Sequence, residues 1–380
     1  MVEPLHVLFV ARPETLHARR WIRQMAERDV RCSLAAVVGA GERDRCEGAE
    51  TVERLPVVRL RDPRYLPRFL RNVFTLRRTF DRMQPDLVHA HFVEDCGWLA
   101  WAAGRRPWGV TAWGSDLLVL PRRSRTGIGR WLTGRTMRSA DFVTAPSRQL
   151  LDAAHGLGAD PSRTHLLLWG VDRRRFRPDA PGPGWRERLG ISEEQPLVLS
   201  PRRMEPVYRI PDIVEAWRFH KSADRPGVLV LATDRGSLEG QVRQQVEREG
   251  LSGSVRFLDQ VPYEEMPALF SQADLTVSVP ESDGTPMSVL ESLACGTPVV
   301  ATDLPSLRPW IREEETGRRV PVGQPGVLAR VVGELLDRPD LRERMGTEGL
   351  RLIAERADQS AWMDRAVDLY RDVAADGVGA

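Results

Sequence analysis

Residues 279–303 read VPESDGTPMSVLESLACGTPVVATD. The run is entered from an apolar stretch, 275–279, whose composition predicts a strand. A polar turn follows, then a helix predicted to open at Thr285-Pro286 and to close at Gly296. Proline suits a first helical turn because it has no N–H to lose, and glycine suits the residue after the last turn. A second apolar strand, 298–301, completes a strand–loop–helix–strand unit. The start of such a helix offers backbone N–H groups and the positive end of the helix dipole, which together make an anion site. Asp283 stands just before the helix and Glu291 in its second turn. Carboxylates do not bind phosphate, but they accept hydrogen bonds from hydroxyls. A diphosphate flanked by sugars would use both kinds of group. Two plainer uses fit the same letters: Ser288-x-x-Glu291 as a capping box and Asp283-Gly284 as a turn pair.

The run resembles the donor-binding segment of retaining glycosyltransferases of family 4. These have the pattern Glu, seven residues, Glu, a helix, and a Gly-x-Pro-Val-Val-Ala strand. This chain keeps the spacing with Asp283 in the first position and Glu291 in the second. The resemblance implies an α/β chain of the GT-B fold, with two doubly wound Rossmann-like domains whose parallel sheets face a central cleft. It implies that Glu291 holds ribose hydroxyls and that Asp283 faces the transferred sugar, one methylene short of the usual Glu. The N–H groups around Gly284, Thr285, Pro286 and Met287 would meet phosphates or a sugar hydroxyl.

Composition agrees with two globular domains: 380 residues, 42% hydrophobic and 28% charged, too long for one ordinary core. Four cysteines lack any Cys-x-x-Cys spacing and read as free thiols. No apolar run reaches the ~18–20 residues of a membrane-spanning helix. The apolar stretch 5–11 has no basic leader and runs at once into Arg12 and Glu14, which predicts a cytoplasmic protein. Residues 1–178 carry 31 Arg against 19 Asp and Glu, a net +12, and the remainder is net −10. A basic first half points to an anionic partner, although arginine is abundant throughout and Lys221 is the sole lysine.

Short apolar strands alternate with helical stretches, which predicts parallel sheets covered on both faces. The strand candidates are 5–11, 32–38, 87–91, 109–112, 142–145 and 165–168, then 197–200, 228–232, 255–258, 275–279 and 298–301. The Pro/Gly-rich stretch at 177–184 cannot be a core element. The expected division is therefore 1–178, a linker at 179–184, and 185–357; the resemblance implies that the first is an acceptor domain and the second a nucleotide-sugar domain. Residues 358–380 form a last helix, with Trp362, Ala366, Val367 and Tyr370 at helical spacing. By the resemblance, it packs back on the first domain.

Other segments match the family. Val143-Thr144-Ala145-Pro146-Ser147-Arg148 and Trp169-Gly170-Val171-Asp172 are similar to the close of its first domain, with Trp169 in place of the usual Asn. Val261-Pro262-Tyr263 is similar to the segment beside the donor's base, with Val261 touching the base through its backbone. Family members place an Arg after the next domain's first strand and a Lys about five residues on, both on the diphosphate. Arg202 or Arg203 fits the first role, with Arg203 preferred, and the Lys position holds Tyr208 or Arg209. An arginine serves because its planar fork binds phosphate oxygens in pairs and stays charged. Asp283, Arg203 and Arg209 form the expected catalytic set.

On the acceptor side, His91 closes one strand and Trp113-Gly114-Ser115-Asp116 follows another. Many relatives carry a His where Trp113 stands, so His91 becomes the candidate for a polar contact and Trp113 for stacking on a ring. Asp116 is a further candidate. The first loop resembles a His-x-Arg-Arg-Trp variant, which would let His17 and Arg19 contact acceptor or phosphate. Residues 64–80 predict an amphipathic helix, with Leu66, Phe69, Leu70, Val73, Leu76 and Phe80 on one stripe and Arg64, Arg68, Arg71 and Arg78 outside it. It suits either the sheet or an anionic membrane surface.

The expected activity is retaining transfer from a nucleotide-diphosphate sugar to a small-molecule or lipid-linked acceptor, with no metal and no resident cofactor. A nucleotide-sugar epimerase or hydrolase of the same fold would need clear acid and base carboxylates beyond Asp283 and Asp116. A nucleic-acid binder would need a motif or an aromatic platform that the chain does not display.

Overall fold

Thirteen strands form two parallel sheets in a computed structural model that describes residues 4–39, 44–57, 65–118, 127–232, 236–284 and 286–377. The first sheet holds β1 (His6–Ala11), β2 (Arg31–Val38), β3 (Glu50–Pro56), β4 (Leu87–His91), β5 (Trp108–Thr111), β6 (Phe142–Ala145) and β7 (Thr164–Leu166), in the order β3-β2-β1-β4-β5-β6-β7. The second holds β8 (Leu197–Ser200), β9 (Val228–Ala232), β10 (Val255–Leu258), β11 (Leu275–Ser278), β12 (Val299–Thr302) and β13 (Gly317–Val320), in the order β10-β9-β8-β11-β12-β13. Both sheets are doubly wound. Their order reverses beside β1 and β4 in one and beside β8 and β11 in the other, and ligands of such sheets bind at the carboxyl ends of those strands.

The central strands are buried on both faces, so they read as continuous apolar runs such as His6–Ala11 (HVLFVA) and Val228–Ala232 (VLVLA). Two strands lie outside the sequence expectation, β3 (ETVERLP) and β13 (GRRV). Both are edge strands, where charged side chains are tolerated and discourage pairing with other chains.

The chain divides into two compact units, Met1–Trp169 with Ser360–Ala380, and Gly170–Gln359. The division falls ahead of the Pro/Gly-rich stretch, and Phe176 already packs in the second unit against Tyr263 and Phe270. The helix Gln359–Gly377 returns to the first unit. Its Tyr370 is fully buried, accepts a hydrogen bond from Trp21 Nε1 at 2.7 Å and meets His89 Nδ1 at 2.5 Å. No helix of the described residues is long and apolar enough to cross a membrane.

Candidate functional site

In the second unit, β8 and β11 are hydrogen-bonded neighbours at the point where the strand order reverses. The chain leaves β8 into Pro201-Arg202 and leaves β11 into 279–284, so these two loops meet. Arg202 joins them. Its Nη2 lies 2.5 Å from Asp283 Oδ2 and its Nη1 donates to Ser288 Oγ at 3.1 Å. Its guanidinium also lies over the Tyr208 ring, 4.2 Å from the centroid. The pair is nearly enclosed, with 10% of the Arg202 side chain and 12% of the Asp283 side chain exposed. An ion pair so shielded from water is held firmly, and losing either partner strands a buried charge.

The helix here is Met287–Ala294, with Pro286 at the N-cap and Gly296 at a φ of 77°. Proline therefore sits one position outside the first turn. Ser288 lies inside the helix rather than at its cap, so no capping box forms with Glu291; its hydroxyl faces Arg202 instead. Residues 288 and 291 share a helix face, which carries Glu291 toward the same end of the sheet. Glu291 is 7% exposed, and Tyr263 Oη donates to its Oε1 at 3.2 Å. The first helical turn leaves N–H groups without partners in the helix. The arrangement thus offers a fixed cation, amide donors and an oriented carboxylate, the groups that grip a phosphate beside a hydroxylated ring.

The structure brings Arg202, not Arg203, to Asp283. Arg203 points outward, with 57% of its side chain exposed and Glu205 4.0 Å away. Arg209 has a left-handed backbone (φ 51°) and is clamped by Asp212 and Glu281, each at 2.7 Å. Both carboxylates raise the pKa of its guanidinium. Tyr208, the other residue at the expected Lys position, supplies the ring under Arg202. Gly284 and Pro286 are buried, and Met287 and Val261 are partly exposed. Thr285 lies outside the described residues, as does Arg64 of the amphipathic helix.

In the first unit, the acceptor-side candidates gather at the carboxyl ends of β1, β4 and β5. His17 stacks flat on Trp113, with centroids 4.8 Å apart. His91 is fully buried behind them, edge-on to Trp21 at 5.5 Å and to Phe9 at 5.7 Å, and neither of its ring nitrogens has a hydrogen-bond partner. The Arg19 Nε is likewise buried without a partner. Asp116 is a loop organiser instead of a surface contact. It is buried and accepts from the backbone N–H of Val93, Trp113 and Gly114 at 3.1, 3.1 and 2.8 Å. Burial pushes its carboxyl above the usual carboxylate range, and the three amides offset only part of that rise. Arg12 and Asp95 form an ion pair across the loops after β1 and β4 that sequence reading did not single out. Among the described residues, no three His, Cys, Asp or Glu side chains are grouped to hold a metal.

Burial lowers the pKa of His17 from the ordinary 6.5 to about 4, helped by Arg20, and that of His91 to about 3, helped by His17. The folded state holds both rings neutral, whereas the unfolded chain protonates them below 6.5. Stability is therefore full above pH 6.5 and falls as pH drops toward 4, by about 1.4 kcal/mol per pH unit for each ring. Urea midpoints measured between pH 7 and pH 4 should show this loss, and His91→Phe should make it shallower. Equal slopes for wild type and variant would refute the assignment.

Two family models cover most of the chain. Residues 15–175 match "Glycosyltransferase Family 4" and residues 183–351 match "Glycosyl transferases group 1". The chain is a glycosyltransferase of the GT-B type. A D-inositol 3-phosphate glycosyltransferase of Streptomyces coelicolor is 28% identical over 319 residues, spanning 76% of this chain and 68% of the relative. The corresponding Thermomonospora curvata protein is 28% identical over 329 residues, 80% and 75% of the two chains. Among solved structures, the sucrose-phosphate synthase of Thermosynechococcus elongatus superposes with a TM-score of 0.79 at 18% identity, covering 98% and 100%. Anabaena HepE in complex with UDP-glucose gives 0.77 at 17% identity, covering 97% and 100%. At these identities the superpositions establish the glycosyltransferase's GT-B fold.

Proposed function

We infer that this glycosyltransferase moves a sugar from a nucleotide-diphosphate donor to a hydroxylated acceptor with retention of anomeric configuration. One observation carries the reading: Arg202, Asp283, Ser288 and Glu291 converge where β8 and β11 end, at the switch point of a doubly wound sheet. Arg202 lies against the diphosphate together with the amides of the first turn of helix Met287–Ala294. Glu291, oriented by Tyr263, accepts from the ribose hydroxyls. Asp283 accepts from a hydroxyl of the transferred sugar while its other contact holds Arg202 in place.

As the bond to the diphosphate breaks, negative charge grows on the leaving oxygen. A fixed guanidinium in a site shielded from water stabilises that charge more in the transition state than in the ground state. The departing phosphate oxygen takes the acceptor's proton, and attack occurs on the face it leaves. No resident cofactor enters this scheme, and no metal is needed, because arginine and helix amides carry the charge. The acceptor, a small molecule or a lipid-linked one, meets the His17–Trp113 pair of the first unit.

Thermal shift against UDP-, GDP-, ADP- and TDP-sugars tests the donor class. A cognate donor at a hundredfold excess over its Kd should add roughly 2.7 kcal/mol of apparent stability. Turnover should survive EDTA, and NMR of the product should show the donor's anomeric configuration preserved. An inverted product, or activity abolished by the chelator, would overturn the mechanism.

A further inference from the structure

In the helix Leu66–Met83 the expected apolar stripe is present, but only part of it is buried. Phe69, Val73, Leu76 and Phe80 are buried, but Leu66, Leu70 and Phe74 are half exposed along the flank of that stripe, at i, i+4 and i+8. The apolar surface of the helix is therefore wider than the fold uses, and its flank is left uncovered by the described residues. A neighbour on the same face of the sheet, the helix Ile128–Ser139, likewise exposes Ile128 and Trp131. The short helix Trp98–Ala103 lies between them. Its Trp101 packs edge-on against Trp131 at 6.1 Å, and Arg77 of the first helix donates to the carbonyls of Ala102 and Ala103. Eight large apolar side chains are exposed among the described residues, and five of them belong to this one layer.

The same layer is strongly basic. The two longer helices carry Arg68, Arg71, Arg77, Arg78, Arg82, Arg130, Arg135 and Arg138, all exposed, against Asp81 alone. Arg78 lies over the Phe74 ring at 4.3 Å and Arg135 over Trp131 at 5.6 Å, so cations flank the apolar side chains directly. A solvated helix face has no use for leucine and phenylalanine in register. A basic surface for nucleic acid has no use for exposed Leu66, Leu70 and Ile128. Apolar side chains ringed by arginine match the boundary between acyl chains and anionic headgroups. A crossover helix between parallel strands starts at the carboxyl edge of its sheet, and the exposed apolar residues lie in the first two-thirds of each helix. The patch therefore borders the edge where His17, His91 and Trp113 gather.

We propose that this helix layer docks the enzyme on an anionic lipid surface, with Leu70, Phe74 and Trp131 entering the interface and the arginines pairing with headgroups. The proposal is independent of the donor reading, and its test involves no turnover. Full-length protein is sedimented with phosphatidylcholine vesicles, with and without phosphatidylglycerol. Binding should require phosphatidylglycerol and weaken as salt is raised. Arg71→Gln with Arg78→Gln should weaken it roughly fivefold per arginine, about 25-fold for the pair. Leu70→Ser with Phe74→Ser should abolish binding at moderate salt without moving the melting temperature, since these side chains are exposed. Failure to bind anionic vesicles, or binding unchanged in both double variants, would overturn the proposal. So would tighter binding to an oligonucleotide than to the vesicles, or a dimer that the Leu70/Phe74 variant disrupts.

Discussion

Arg202→Ala should lower kcat/KM by about 10²- to 10³-fold, while Arg203→Ala stays within about threefold of wild type. The two residues are adjacent in the chain, yet the strand end turns them in opposite directions. Arg202 is held by Asp283, Ser288 and the Tyr208 ring, and Arg203 stands in solvent beside Glu205. Arg202→Lys keeps the charge but loses the planar fork that spans Asp283 and Ser288, so it should recover only part of the rate. Because Arg202→Ala also leaves Asp283 enclosed without its cation, melting temperature must be followed alongside. A rate loss far larger than the stability loss predicts separates chemistry from folding. If Arg203→Ala fell by orders of magnitude and Arg202→Ala did not, the diphosphate would lie on the outer arginine and the proposed site would be misplaced.

Glu291→Ala should weaken binding of the nucleoside diphosphate by about 10²-fold, in keeping with loss of charge-assisted hydrogen bonds to two hydroxyls. Its effect should depend on the sugar next to the base. Inhibition by the nucleoside diphosphate should weaken, and inhibition by inorganic pyrophosphate should not. Tyr263→Phe removes the donor that orients Glu291 Oε1 and should cost less, several-fold in KM with little change in kcat. Equal loss of both inhibitors in Glu291→Ala would mean that the carboxylate shapes the phosphate site and does not contact a ribose.

The repeating strand-and-helix plan was legible because buried parallel strands are uniformly apolar. β1 (HVLFVA) and β9 (VLVLA) stand out as runs of Val, Leu, Phe and Ala. β3 and β13 were not, since an edge strand such as GRRV has only one neighbour and keeps its charges. The meeting of the two loops that form the candidate site follows from the same plan. A doubly wound order puts the ends of β8 and β11 side by side, and the run from 279 to 303 begins there. What the sequence could not resolve was side-chain direction. Choosing between Arg202 and Arg203 requires the turn geometry after Ser200, and nothing in the letters SPRRM states it. Ser288 illustrates the same limit, because the helix begins two residues later than Thr285-Pro286 suggested, which moves the serine from cap to face. Asp116 shows it again: an acid in the run Trp113-Gly114-Ser115-Asp116 looks available, yet the backbone amides of Val93, Trp113 and Gly114 enclose it.

Tyr370 carries a consequence for biosynthesis. Its phenol completes a network with Trp21 and His89, and it leaves the ribosome 349 residues after the first and 281 after the second. The leading sheet therefore waits, with an indole and an imidazole unsealed, while the trailing Rossmann unit is translated in full. Vectorial synthesis should let residues 170–359 acquire protease resistance first, and should leave the opening segment dependent on its late-arriving clasp.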